Sequence, residues 1–332
     1  MAKVKVAVIG LGSIGSGYYS ADNANAQPRT HVETILRNQS LELTAVCDAD
    51  QEQRKHFKSR WKEVAPIYTS ATELLAAGPF DIVSVATPSG THYEVLCEVL
   101  AARPHAIFCE KPMCADAETA ADIVLRSRAV GIPVVVNYHR RWDLRIRGFR
   151  AVLGEAGPPQ RIELIYTKGL YNYGAHAIDL LQLLFGAIQR IDARANASIP
   201  PGNPDPSLSA SLFFDNGLTA SFAGVDGLDY ELVDLDMFCR HQKYRLEFGG
   251  QRILCAKPEA DRYFDGYVSL RDPEPLIADA PVHGLSLAYE ELAAWVTARQ
   301  LPQTSSAENA LAVHRVLATI KTSVETGEVI KP

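Results

Sequence analysis

At 332 residues with 47% apolar side chains, the chain is long enough for two domains with sizeable cores. Its 33 basic and 39 acidic residues leave a formal net charge of −6, which argues against nucleic acid or another polyanion as a partner. No apolar run reaches the ~18 residues of a membrane span, no charged apolar leader precedes the first strand, and the six cysteines are scattered with no CxxC pair. These features point to reduced core thiols and a cytoplasmic protein.

Val4 to Ile9 is an apolar run suited to a strand buried on both faces. Gly10-Leu11-Gly12-Ser13-Ile14-Gly15 follows it directly, where such a strand turns into a helix. Gly10 permits a tight turn, Gly12 lets backbone approach a pyrophosphate, and Gly15 lets helix and strand pack closely. The helix that follows is expected to turn its free N–H groups toward the phosphates. Leu41 to Cys47 reads as the second strand and ends at Asp48, an acid placed to bond ribose hydroxyls and so to favour NAD over NADP. Gly15 and Asp48 are 33 residues apart, against roughly 20 in the usual fingerprint. The polar stretch Ser20 to Arg29 accounts for the excess, either as a surface loop or as part of the cleft.

A helix over Gln51 to Trp61, a short strand near Ala65 to Tyr68 and a helix over Ala71 to Ala77 come next. The strand Asp81 to Ala86 ends in Thr87-Pro88, beyond the carboxyl end of a central strand, where ligands bind in open α/β sheets. Thr91 with Glu94 predicts a capping box for the helix ending near Ala102. His92 reads either as a cap-region histidine or as a site residue. Ala106 to Cys109 is another buried strand, terminated by Glu110-Lys111-Pro112. Packing explains a lysine there poorly; its plain alternative is a lysine at a cleft edge. A helix from Asp116 to Val130 and a strand from Ile132 to Val136 complete six strands alternating with helices. The expected fold over residues 1–136 is therefore a doubly wound Rossmann dinucleotide-binding domain.

From residue 137 the texture changes. Asn137-Tyr138-His139-Arg140-Arg141-Trp142 opens a basic aromatic segment with five arginines between Arg140 and Arg150. Tyr138, Arg141 and Trp142 are candidates for a sugar pocket, with interdomain packing as the alternative for each. After a strand over Gln160 to Tyr166, Asn172, Tyr173, His176 and Asp179 lead into an apolar helix stopped at Gly186. The Asn172/His176 and His176/Asp179 spacings let each pair share a helical face. A histidine suits proton transfer at an alcohol or ketone, although a histidine in an apolar helix is more often structural. No third or fourth ligand accompanies the HxxD pair, so no metal is expected. Six candidate strands follow: Ile188 to Ala195, Leu208 to Phe214, Leu218 to Phe222, Leu232 to Cys239, Tyr244 to Phe248 and Gln251 to Cys255. Pro200 to Pro206 forms a loop between the first two, and Asp215-Asn216-Gly217 marks a hairpin. Helices over Ser286 to Arg299 and Ala307 to Val324, the latter capped by Ser306, close the chain. Residues 137–332 are thus expected to form an α+β domain on a largely antiparallel open sheet. Its exposed face invites a homodimer or homotetramer, and the final helices are in a position to return to the domain seam.

Taken together and in order, the Gly10/Gly12/Gly15 turn, Ala86-Thr87-Pro88 with His92, Glu110-Lys111-Pro112 and Gly174-Ala175-His176-Ala177-Ile178-Asp179 resemble the glucose–fructose oxidoreductase, inositol dehydrogenase and rhizopine-catabolism (Gfo/Idh/MocA) oxidoreductases. The resemblance extends over nearly the whole chain, including Ala307-Glu308-Asn309-Ala310 with Ser323 and Gly327. It implies an NAD(P)-dependent oxidoreductase acting on a small polyol, sugar or sugar nucleotide. Gly10, Gly12, Ser13, Ile14, Gly15, Asp48, Ala86, Thr87, Pro88, His92, Glu110 and Lys111 would meet the cofactor. Lys111 would bond the reacting hydroxyl, and His176 would exchange its proton. The chain departs from many members in carrying Asn172 where they have aspartate. Asparagine holds a hydroxyl but is no base, which favours a histidine–lysine arrangement. Two alternatives stay open: an NADP-dependent ketoreductase or aldose oxidoreductase, with Arg54 contributing beside Asp48 if the loop there is displaced, and a non-catalytic dinucleotide sensor.

Overall fold

The computed structural model describes residues 2–18, 28–194, 202–226, 229–277 and 284–332. The expected insertion at Ser20 to Arg29 falls outside them as far as residue 27, as do Ala195 and Pro200-Pro201. The chain divides into two units: Met1–Trp142 with His283–Ala312, and Asp143–Val282 with Val313–Pro332.

In the first unit, short runs of Val, Ile and Ala make strands buried on both faces, as a parallel sheet requires. They are β1 (Val4–Ile9), β2 (Leu41–Cys47), β3 (Ile67–Tyr68), β4 (Ile82–Val85), β5 (Ala106–Cys109) and β6 (Val134–Val136). All pair in parallel, in the order β3-β2-β1-β4-β5-β6. The strand order reverses between β1 and β4, and the crevice beyond their carboxyl ends is where such sheets bind ligands. The intervening helices are α1 (His31–Arg37), α2 (Gln51–Trp61), α3 (Ala71–Ala76), α4 (His92–Ala102) and α5 (Ala117–Val130). Thr30, Asp50, Ser70 and Asp116 cap α1, α2, α3 and α5 through their side chains.

Two local expectations fail. The capping box at Thr91 does not form. Thr91 lies in the 3-10 turn Ser89–Thr91 with φ −108° and ψ −1°, and its hydroxyl bonds back to Pro88 O at 2.8 Å and Thr87 Oγ1 at 3.0 Å instead of reaching Glu94. The glycine turn opens no long helix either. Ser13–Gly17 is a single wide turn in which the Ser16 and Gly17 amides both bond Gly12 O, at 3.0 and 3.1 Å. Two glycines and two serines in five residues supply little helix propensity, and the next helix among the described residues is α1.

The second unit begins with α6 (Leu144–Ala156), β7 (Arg161–Tyr166) and α7 (Ala175–Phe185), followed by β8 (Ile188–Arg194), β9 (Ser209–Phe214), β10 (Thr219–Gly224), β11 (Val233–Phe238), β12 (Lys243–Glu247) and β13 (Arg252–Ala256). The chain adds three short strands that the sequence did not signal: β14 (Pro258–Ala260), β15 (Val268–Leu270) and β16 (Glu274–Ile277). They lie in a largely exposed segment rich in Asp, Glu and Pro, with no apolar alternation to mark them. The main sheet runs β16-β13-β12-β11-β7-β10-β9-β8 and is antiparallel apart from the β7–β10 pair. Burial alternates along β9 to β12, giving one buried face and one half-exposed face. Asn216 and Gly217 (φ +83°) turn the β9–β10 hairpin, closed by the Phe214 amide on Leu218 O at 2.9 Å.

The chain then supplies α8 (Gly284–Ala298) and α9 (Ala307–Thr326). α8 returns to the first unit, where Ala288, Tyr289, Leu292 and Ala293 join a core with Val32, Ile35, Phe108 and Trp142. Ser306 and Asn309 exchange bonds at the start of α9, with the Ser306 amide 3.0 Å from Asn309 Oδ1. Among the described residues no helix is long and apolar enough to cross a membrane, and the six cysteines form no disulfide. Burial pushes the Cys47 and Cys114 thiols up to about 12, so both are poor nucleophiles.

Candidate active site

The crest of the first sheet is built by three turns. Gly10, at φ +101°, packs so tightly that a Cβ there would lie 2.5 Å from the carbonyl carbon of Ala86 and 2.6 Å from Thr87 N. A Cβ on Gly15 would lie 2.1 Å from Gly10 O. These two glycines are demanded by the fold. Gly12 differs: its φ is an ordinary −62° and a Cβ on it would meet nothing within 4 Å. The chain's own packing gives no reason for glycine at this position, whereas close approach of a pyrophosphate does. Ser13 and Ile14 continue the same turn.

Asp48 lies beside this turn. Its Oδ2 accepts the Leu11 N–H at 2.7 Å and its Oδ1 the Asp50 N–H at 2.8 Å. A carboxylate offers about four lone-pair sites, so capacity remains for a ribose diol. Arg54 is already fixed next to it, with Nη1 bonded to Asp48 O at 2.7 Å and Ala49 O at 2.8 Å. No displacement of the loop is needed to bring the guanidinium there.

Thr87-Pro88 follows β4, and Glu110-Lys111-Pro112 follows the adjacent β5. His92 is buried between them, with Nε2 2.7 Å from Thr87 O and Nδ1 2.8 Å from Pro112 O. It braces the two turns. Lys111 is half-buried. Glu110 before it is buried, and its Oε1 accepts Asn137 Nδ2 at 2.6 Å and lies 3.0 Å from His31 Nε2. Burial disfavours the carboxylate, but the bonds from His31, Asn137 and the Lys111 amide more than offset this and hold its pKa below the ordinary value.

The aromatic cluster makes interior contacts. Tyr138 and Trp142 are each 1% exposed, Trp142 Nε1 donates to Glu291 Oε2 at 2.7 Å, and the buried Arg141 reaches Thr304 O at 3.3 Å. The contacts of Arg141 and Trp142 are of the kind the packing alternative expects.

In the second unit, Asn172 and Tyr173 lie on a wide turn, Gly169–Gly174, that runs straight into α7. Asn172 is exposed, Tyr173 half-buried and bonded through its hydroxyl to Glu231 Oε2, and His176 and Asp179 are buried in the first turns of α7. Sequence reasoning missed the residue that shapes this turn. Asp205 accepts the Tyr171 N–H at 2.9 Å and the Asn172 N–H at 3.1 Å. A Cβ on Gly169 (φ +90°) would lie 2.3 Å from the same carboxylate, which explains that glycine. Burial raises the Asp205 pKa, with the backbone donors working against it and Asp226 adding to it. The one available signal was the Asn-Pro-Asp-Pro run, which marks a loop but not what the loop holds. Among the described residues no group of three or more His, Cys, Asp or Glu is placed to hold a metal ion.

The chain is similar to known proteins in both sequence and fold. The chain is 26% identical over 250 residues to D-apiose dehydrogenase of Rhizobium rhizogenes, covering 65% of this chain and 72% of that protein. It is 26% identical over 227 residues to inositol 2-dehydrogenase of Mycolicibacterium gilvum, covering 63% of this chain and 61% of that protein. The fold matches that of the WlbA dehydrogenase of Bordetella pertussis, solved with NADH and UDP-GlcNAcA, with a TM-score of 0.78, 19% identity and coverage of 100% and 98% of the two chains. It equally matches a super-repressor mutant of Gal80p from Saccharomyces cerevisiae, with a TM-score of 0.79, 16% identity and coverage of 99% and 98%, so the fold alone does not assign an activity. The profile of the oxidoreductase family with an NAD-binding Rossmann fold, GFO/IDH/MocA, matches residues 4–138, and that of the GFO/IDH/MocA carboxyl-terminal domain matches residues 119–234. With the glycine turn, the acid after β2 and the lysine after β5 all in place on the matched segment, the chain belongs to the GFO/IDH/MocA oxidoreductase family.

Proposed function

We propose that the chain is an NAD-dependent dehydrogenase that interconverts a secondary hydroxyl and a carbonyl on a sugar, cyclitol or sugar nucleotide. The observation that carries this reading is Gly12: a glycine with room around it and no packing reason to be one, set in a turn tied to Asp48 at the point where strand order reverses. Gly10 to Gly15 would hold the pyrophosphate and Asp48 the adenosine ribose. The bound nicotinamide supplies the hydride acceptor or donor. Lys111 would donate a hydrogen bond to the reacting oxygen and stabilise negative charge as it develops there. His176 would take the hydroxyl proton during oxidation and return it during reduction. Asn172 would hold a neighbouring hydroxyl without acting as a base. The dehydrogenases among the relatives, named for apiose and inositol, support a polyol substrate.

Cofactor reduction measured across a polyol and sugar panel tests this directly. Turnover by the wild type should fall at least about 100-fold in Lys111→Ala, with NAD affinity nearly unchanged. His176→Ala should lose turnover and alter its pH profile. Tight NAD binding without turnover on any substrate would instead support a dinucleotide sensor. Arg54 favours a second cofactor reading, because its guanidinium is already fixed beside Asp48. Stronger binding of NADP than NAD, lost in Arg54→Ala, would establish it. We further propose that copies associate through the half-exposed face of the second sheet, where Asp236, Lys243, Arg245, Glu247 and Arg252 form ion pairs. Sedimentation should give a multiple of the 36.3 kDa chain mass, and a monomer at micromolar concentration would rule this out.

A further inference from the structure

A carboxylate buried at the end of an apolar strand is costly unless each oxygen is bonded. Glu110 meets that condition in an unusual way. Its Oε2 accepts the Lys111 N–H at 3.3 Å, while its Oε1 takes Asn137 Nδ2 at 2.6 Å and faces His31 Nε2 at 3.0 Å. The chain of contacts continues inward: His31 Nδ1 lies 2.8 Å from the Tyr289 hydroxyl, and that hydroxyl lies 2.7 Å from Ser84 Oγ. His31, Tyr289 and Ser84 are all fully buried, and the Phe108 ring meets His31 and Tyr289 edge-on, each at 5.2 Å.

With His31 as the neutral imidazole, one arrangement of protons satisfies every contact. A carboxylate only accepts, so His31 Nε2 carries a proton and donates it. Nδ1 then accepts from the Tyr289 hydroxyl, whose oxygen accepts from Ser84. All the donors point toward Glu110, and such a chain strengthens its own members. Its far end is a buried serine on β4, so it offers no route for protons to solvent. It is suited to holding a carboxylate in place.

What is held is the base of Lys111. The Glu110 amide bonds Val85 O at 2.8 Å, and the Asn137 amide bonds Cys109 O at 2.8 Å. The ends of β4, β5 and β6 therefore meet at Glu110, and its carboxylate fixes the peptide from which Lys111 departs. We propose that His31 is a positioning residue: it holds Glu110 as acceptor of the Lys111 N–H and thereby sets the direction of the lysine side chain. The proposal rests on the role given to Lys111 above, and the test separates the two.

The variants are His31→Phe, which keeps a ring but no donor, His31→Gln, whose amide can donate to the same oxygen, and Glu110→Gln. Two readouts are taken. One is kcat and KM on the best substrate of the panel. The other needs neither cofactor nor turnover: the rate at which a water-soluble amine reagent modifies Lys111, measured by peptide mass spectrometry against exposed Lys55 in the same sample. His31→Phe should lose about 10- to 100-fold in kcat with KM changed by less than about threefold, since a misplaced group costs rate. Its Lys111 modification rate should shift by about threefold or more relative to Lys55, and His31→Gln should recover both readouts. Wild-type kcat and wild-type labelling in His31→Phe would overturn the proposal. So would a labelling shift in His31→Phe that His31→Gln fails to reverse while folding normally. If His31→Phe does not fold, wild-type labelling of Lys111 in Glu110→Gln overturns it and altered labelling supports it. A wild type without turnover on any substrate defeats the functional reading alone, because the labelling comparison still decides the positioning.

Discussion

Gly10, Gly12 and Gly15 are glycines for different reasons, and the difference can be measured. Gly10→Ala forces an L-residue to φ +101° and drives its Cβ to 2.5 Å from backbone, and Gly15→Ala brings Cβ to 2.1 Å from Gly10 O. Each should destabilise by roughly 2–4 kcal/mol in denaturant titrations. Gly12→Ala should leave the denaturation midpoint near wild type yet weaken NAD binding at least about tenfold; normal NAD affinity would remove the main support for a pyrophosphate at this turn. Glu110 gives a pH prediction. Its folded-state pKa is lowered, so the unfolded chain takes up the proton first as pH falls. The stabilisation is thus present above the ordinary glutamate value of about 4.3 and is lost as pH drops through the folded value. Wild-type Tm should fall more steeply with acid over that range than the Tm of Glu110→Gln, and parallel curves would contradict the assignment.

Among elements, the wide turn Gly169–Gly174 illustrates what one side chain does for a whole segment. Asp205 caps two of its amides from a loop more than thirty positions away in sequence. Asp205→Ala should cost roughly 2 kcal/mol of stability for the two lost charge-assisted bonds. It should also lower kcat/KM while leaving NAD affinity unchanged, because it loosens the segment carrying Asn172 and leading into His176; unchanged kcat/KM would separate this turn from the chemistry. Most elements were legible from local pattern. The strand Leu41–Cys47, the helix Gln51–Trp61 and the strand Ala106–Cys109 fall where apolar runs and cap residues place them. The misses have physical reasons. Thr91 has the composition of a cap, but its backbone turns into the 3-10 segment before the helix and takes the hydroxyl with it. The exposed strands β14 to β16 pair through backbone and carry little apolar pattern.

At the scale of the molecule, the first unit is not one continuous stretch. Helix α8 returns after the second sheet to place Ala288, Tyr289, Leu292 and Ala293 in the first unit's core. Residues 1–142 expressed alone should therefore lack cooperative unfolding and bind hydrophobic dyes, whereas adding 283–312 through a linker should restore a sharp transition; cooperative folding of 1–142 alone would contradict the assignment of α8 to this core. The amino-acid sequence by itself determined much of what depends on neighbours along the chain: buried strands, most helix starts and stops, the glycine turn after β1 and the position of Lys111 at the end of β5. Those features follow from steric limits and hydrophobic period over a few residues. Only the tertiary structure decided which distant groups meet. His31 finds Glu110 across 79 residues and Tyr289 across 258, and Asp205 finds Asn172 across 33. A hydrogen bond between side chains so far apart leaves no period or spacing in sequence, because it is formed by the packing of whole elements and not by the conformation of either segment.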